Sequence, residues 1–246
     1  IYKSNLEKIN IYNLGIPGGN ISNYYYTLKK FKDFDPKSIF VFIYVDNDIK
    51  GDFDTKHFFS VLNNFLNKSS LLNIIKKLFQ NPEEYYFSDE HLNKFNLSEK
   101  YRNLFKLQRI NYHLLSLKFR GNFHDYYKSL VQIFKNSKQD KEKIIQMKKI
   151  AAEINSDFHL VLIPSKYQVK KKYMELPAKE FGFEFNMNEV INDEIQNEII
   201  FWAKKNKIQV IDLLKFLLKN KNENYHIIDD HFNTKGNQLA GEILFD

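Results

Sequence analysis

Three short stretches carry residue types that could do chemistry. The richest runs from Tyr225 to Asn237, where Asp229 and Asp230 come directly before His231. A carboxylate close to an imidazole can orient the ring and stabilise its charged form, as acid–base catalysis requires. The plainer reading is a solvated loop before a helix start. The second stretch is Asp46-Asn47-Asp48, at the end of a long apolar run. The Asn47 amide could donate a hydrogen bond to a developing oxyanion. Its acidic neighbours suit an Asx-type turn, or oxygen ligands for a hard cation. The third is Leu14-Gly15-Ile16-Pro17-Gly18-Gly19-Asn20. A glycine at Gly18 lets a backbone N–H approach a ligand, and the following helix offers its positive end. A simple tight turn explains the same residues.

These stretches need elements to hold them. Ile9 and Ile11 alternate with polar residues, which predicts a short strand over Lys8 to Asn13. A Tyr-rich helix is expected over residues 21 to 32, ended by Asp35-Pro36. Ser38 to Val45 is a nearly unbroken run of strand formers. A run without alternation predicts a strand covered on both faces, as in a parallel sheet. Polar residues at the C-terminal end of such a strand lie where α/β folds bind ligands, which is the place of Asn47. From about residue 55 to 136 the apolar spacing is helical. That length exceeds a single crossover and reads as a helical insertion, either a lid or extra core helices. A helix over Lys141 to Asn155 follows, then a strand over Phe158 to Ile163 closed by Pro164-Ser165-Lys166. A helix over Glu189 to Asn206, a strand over Lys207 to Leu213 and a last helix over Thr234 to Leu244 complete the chain. Strands alternating with helices predict an α/β fold with a parallel sheet, here as one domain over residues 1–246.

Composition removes several function classes. The 246 residues are 43% apolar, enough for a substantial core, and contain no Cys. Disulfides, thiolate metal sites and a Cys nucleophile are therefore excluded within this chain. The net charge of +7 comes from lysines mixed with acidic residues along helical faces. That pattern favours solvated helices over a nucleic-acid surface. No apolar run reaches the roughly 18 residues of a membrane span.

Order and spacing together resemble the SGNH (GDSL-type) hydrolase superfamily. Asn13-Leu14-Gly15-Ile16-Pro17-Gly18-Gly19-Asn20 looks like that family's second block, which carries an oxyanion-hole glycine. Val45-Asp46-Asn47-Asp48 looks like the third, which carries an oxyanion-hole asparagine, with Asp46 where glycine is usual. Asp229-Asp230-His231-Phe232-Asn233-Thr234-Lys235-Gly236-Asn237 looks like the fourth, which carries the catalytic Asp/His pair. The commonest fourth block has Asp three residues before His, a position held here by Ile228. The match is to the Asp-x-His variant, which selects Asp229 over Asp230. Leu162-Ile163-Pro164-Ser165-Lys166 is similar to a segment of members acting on envelope polysaccharides.

The resemblance implies a three-layer α/β/α, flavodoxin-like parallel sheet. It implies ester hydrolysis or acyl transfer, with no metal or organic cofactor. His231 would be the general acid–base, Asp229 its orienting carboxylate, and Gly18 and Asn47 the oxyanion donors. The expected substrate is a small-molecule, O-acetyl carbohydrate or lipid ester. The family's nucleophilic serine sits in Gly-Asp-Ser on the strand preceding the second block. The stretch before Gly18 is too short to hold that block, and its one serine, Ser4, lacks the strand-then-turn setting. The expectation is that the first strand and its serine lie before Ile1. The alternatives are a non-catalytic relative that keeps the fold, and a metal-dependent phosphohydrolase built on Asp46, Asp48, Asp229 and His231.

Overall fold

A computed structural model of the chain describes residues 10–16, 19–49, 123–173, 175, 192–226 and 230–245. The predicted insertion up to residue 122 lies outside these residues. So do Gly18, Asp229 and the first part of the predicted strand before Asn13.

The sheet has three parallel strands in the order β1 (Ser38–Tyr44), β2 (Asp157–Ile163) and β3 (Gln209–Asp212). Ser38 aligns with Asp157 and Tyr44 with Ile163; His159 aligns with Gln209 and Leu162 with Asp212. Parallel neighbours require crossovers, and helices supply them. Between β1 and β2 come α2 (Phe123–Asn136) and α3 (Lys138–Glu153). Between β2 and β3 come the short α4 (Lys166–Val169) and α5 (Glu194–Lys205). Helix α1 (Ile21–Phe31) precedes the sheet; α6 (Leu214–Lys219) and α7 (Thr234–Phe245) follow it. The mixed α/β architecture and the parallel sheet agree with the sequence pattern. Among the described residues, no helix is long and apolar enough to cross a membrane.

Local chemistry sets the element ends. Asn20 caps α1: its Oδ1 accepts from the N–H groups of Ser22 and Asn23 at 3.0 and 3.2 Å. Asn23 returns the bond to the Asn20 N–H at 3.1 Å, closing a reciprocal cap. After α1, a 3-10 turn over Lys32–Phe34 ends at Asp35 with φ 48°, ahead of Pro36. Asn155 and Lys207 take the same left-handed backbone at the turns into β2 and β3.

The core is continuous. Val41, Ile43, Leu160, Val161 and Leu162 of the sheet meet Ile144 and Met147 of α3 and Ile195 and Ile199 of α5. Helix α1 packs on α3, and α2 on α5, where Phe134 meets Trp202 edge to face. A buried amide pair ties the end of β2 to the start of α5. Gln168 and Gln196, both fully buried, donate to each other's oxygens at 3.2 and 3.0 Å. Gln168 Oε1 also accepts from the Ser165 N–H, and its Nε2 donates to the Asn192 carbonyl.

Three expectations need correction. Residues 10–13 form no strand; Ile11 and Tyr12 are exposed. Two alternating isoleucines do not hold an extended segment without a neighbour to pair with, and none is found among the described residues. Strand β1 is also not covered on both faces. Val41 and Ile43 are buried, but Phe42 between them is 41% exposed. Burial thus alternates along a run whose sequence does not. Finally, α5 begins at Glu194, with Asn192 Oδ1 accepting from the Glu194 N–H at 2.7 Å. Asn192 and Asp193 therefore precede the helix expected to include them.

Candidate functional site

The turn after β1 and the loop before α7 meet at the C-terminal end of the sheet. In the first, the N–H groups of Asn47 and Asp48 donate to the Tyr44 carbonyl at 3.3 and 3.1 Å. Asp48 Oδ2 accepts from the Tyr44 N–H and the Tyr24 hydroxyl, both at 2.8 Å. Asp46 Oδ2 accepts from the Tyr44 hydroxyl at 3.2 Å. Both aspartates are buried, while Asn47 between them is exposed. The turn therefore presents one amide outward and anchors itself with two carboxylates.

The second loop is closed by a short antiparallel bridge between Tyr225 and Phe232. The His226 N–H donates to the His231 carbonyl at 3.1 Å, and the Asn233 N–H to the Asn224 carbonyl at 3.0 Å. The Tyr225 and Phe232 rings pack 4.7 Å apart. The Tyr225 hydroxyl donates to the Pro164 carbonyl at 2.6 Å, pinning the base of the loop to the end of β2. His231 is exposed at the far side of this bridge.

Lys166 ties the second loop to the segment that follows β2. It opens α4 just after Pro164 and Ser165, its side chain is only 2% exposed, and its Nζ lies 3.1 Å from Asp230 Oδ1. A buried ammonium costs several kcal/mol unless it is paired and hydrogen-bonded. Here the partner is the residue beside His231. The Tyr167 hydroxyl bonds to the same carboxylate.

Four tyrosines enclose this pair of loops. Burial raises the pKa of Tyr44, Tyr127, Tyr167 and Tyr225 well above the usual phenol value, and the Asp46 and Asp230 carboxylates push each further up. Tyr44 is partly exposed along its length, but its phenol end is enclosed. Asp230 is the strongest charge acting on Tyr44, whose hydroxyl holds Asp46. The neighbours of Asn47 and His231 thus share one polar cluster. Ser165 Oγ, buried beside it, lacks a hydrogen bond of normal geometry, although it lies near enough to favour the Tyr127 phenolate.

The phenols carry a pH prediction. Tyr24 and Tyr173 are also raised, each mainly by burial. A phenol whose folded pKa exceeds its unfolded value near 10 contributes stability below about pH 10 and loses it as pH rises through the folded value. Alkaline titration followed by phenolate absorbance measures this. Tyr24, Tyr44, Tyr127, Tyr167, Tyr173 and Tyr225 should ionise only with unfolding, seen by circular dichroism. All tyrosines titrating together in a still-folded chain would contradict the enclosed cluster.

Of the residues singled out by sequence, Asn47 and His231 are brought to one end of the sheet; Asp229 and Gly18 lie outside the described residues. The Gly19 N–H donates to the Ile16 carbonyl at 2.9 Å. Asp46 and Asp48 are engaged by tyrosines, and no group of three His, Asp or Glu suited to a metal occurs among the described residues. Sequence reasoning gave no role to Lys166, Asp230 or the tyrosines. The burial of Lys166 has no signal in the sequence, because lysine reads as a surface residue.

No family model, curated protein or solved structure matches this chain.

Proposed function

We propose that this chain carries the acid–base and oxyanion-hole half of an SGNH-type serine ester hydrolase. Its substrate would be an O-acyl ester, such as an O-acetylated carbohydrate or a lipid. The observation that carries this reading is the convergence of the Asn47 turn and the His231 loop on one end of a parallel sheet. Asp230, paired with Lys166, acts electrostatically on the Tyr44 phenol, whose hydroxyl donates to Asp46. In this reading the fold is a three-layer, flavodoxin-like sheet, and the serine precedes Ile1 on a strand paired to the outer edge of β1. The parallel ladder turns the Phe40 and Phe42 N–H groups away from β2, and no described strand lies on that side. Phe42, exposed beside that edge, fits an added neighbour.

The chemistry follows from these roles. The serine oxygen attacks the ester carbonyl while His231 takes its proton. The resulting oxyanion accepts from the Asn47 amide, the Gly18 N–H and the serine N–H. His231 then protonates the leaving alcohol, and water repeats the sequence on the acyl-enzyme. Asp229 orients the imidazole, as the Asp-x-His resemblance implies, while Asp230 is engaged by Lys166 and Tyr167.

The test uses the full-length protein and p-nitrophenyl acetate. A fluorophosphonate should label one serine, mapped before Ile1 by mass spectrometry, and abolish turnover that survives a chelator. Asn47→Ala should lower kcat about 100-fold, the usual effect of losing one oxyanion donor, without lowering stability. Activity lost to chelator and untouched by fluorophosphonate would replace this reading with the metal-dependent one. Neither label nor turnover would leave a binding protein.

A further inference from the structure

We infer that Lys166 is a positioning residue, which holds the His231 loop in register against the end of β2 through Asp230. The role of His231 rests on the hydrolase reading; the anchoring itself does not.

Lys166 is the one buried cation among the described residues. Its enclosure rules out direct work on a substrate, because the ammonium does not reach solvent. A lysine buried purely for packing is a poor choice, since an apolar side chain of similar volume fills such space without desolvating a charge. What the charge adds is direction. It fixes a carboxylate that belongs to a distant part of the chain. Asp230 is only partly buried, at 32% side-chain exposure, and would stay hydrated without a partner. Lys166 draws it inward, and Tyr167, on the next residue, holds the same group. The Lys166 ammonium also sits 5.3 Å from the Tyr167 ring centre. Two adjacent residues that open α4 thus grip the residue that precedes His231.

The grip complements the bridge described above. The Tyr225–Phe232 bridge fixes where the loop leaves and returns, and the Tyr225 hydroxyl fixes its base. Neither sets the facing of the backbone at residue 230. The Lys166–Asp230 contact does, and the imidazole hangs from the next Cα. A misplacement of about 1 Å in a catalytic group can cost about 100-fold in rate.

The experiment compares Lys166→Met, Lys166→Arg and Asp230→Asn with the wild-type full-length protein. Amide hydrogen exchange at residues 226 and 230–233 is read first, because it does not depend on activity. Lys166→Met and Asp230→Asn should both raise exchange there at least about tenfold and leave β1 and β2 unchanged. Lys166→Arg should restore most of the protection. Unchanged exchange in both neutral variants would overturn the anchoring. If Lys166→Met fails to fold, Asp230→Asn, which keeps the lysine, decides the matter. Turnover is read second. Both neutral variants should lose about 100-fold in kcat with KM little changed, and the double variant should be no worse than either single one. Wild-type kcat and pH profile in both, while His231→Ala is inactive, would sink the positioning role and leave the hydrolase reading standing. If His231→Ala is as active as wild type, the hydrolase reading fails, and exchange alone then judges the anchor.

Discussion

Replacing His231 with alanine is expected to lower ester turnover of the full-length protein by at least about a thousandfold, since a catalytic base acts in every proton transfer of the cycle. The melting temperature should barely move. The imidazole is exposed, and the loop is held at this residue by its backbone carbonyl, which accepts from the His226 N–H. Surface substitutions of that kind usually change stability by about 0.5 kcal/mol or less. His226→Ala is the matched control. It removes a second exposed imidazole from the opposite strand of the same bridge, and it should leave turnover near wild type. Equal losses in the two variants would mean that the bridge, not the ring, was disturbed. Full activity in His231→Ala would remove the site assignment altogether.

Gly236→Ala should produce the largest loss of stability, about 3 kcal/mol, or a fall of about 10 °C in melting temperature. Gly236 lies in the first turn of α7, where the chain of the His231 loop crosses over it. A Cβ there would fall inside the contact radius of the Asn224 carbonyl oxygen, 2.9 Å from Phe232 Cδ1 and 3.0 Å from the Asn224 carbonyl carbon. The neighbour that must yield is mostly backbone. The same carbonyl accepts from the Asn233 N–H, and Asn233 Oδ1 accepts from the Gly236 N–H at 3.0 Å. Relief of the clash would therefore break the loop's own closure. Thermal unfolding is the measurement, with Gly241→Ala in the same helix as reference. A Cβ at Gly241 meets nothing, so that change should be neutral or slightly stabilising. Similar melting temperatures for the two variants would show that α7 is not clamped as described.

These two positions show how legible the chain was. His231 stood out in sequence because its neighbours are carboxylates. Gly236 read as an ordinary residue of a terminal helix, because its crowding comes from a carbonyl 12 residues earlier that only folding brings close. Strands β1 and β2 were legible to within a residue, since dense apolar runs need no tertiary context. The open face at Phe42 was not, because coverage depends on what packs outside the strand. The segment at residues 10–13 has strand-like alternation but no described partner. Lys166 was hidden by its type: lysine reads as a surface residue, and its burial follows from a carboxylate 64 positions further along the chain. The preference for Asp229 came from a family pattern. What the fold adds is the separate engagement of Asp230.

The Gln168–Gln196 pair has a consequence for how this chain can vary. Gln168→Leu strands the Gln196 amide, the Ser165 N–H and the Asn192 carbonyl in the dry interior, at about 1–3 kcal/mol per orphaned group, whereas Gln196→Leu leaves Gln168 its bonds to Ser165 and Asn192. A simultaneous change of both to apolar residues removes that penalty between them. Asn192 and Ser165, which also bond to Gln168, would still constrain the choice. The two positions should therefore behave epistatically, with Gln168→Leu better tolerated when Gln196 is also apolar than when it is kept. Drift at the start of α5 is in this way coupled to the short α4 that carries Lys166.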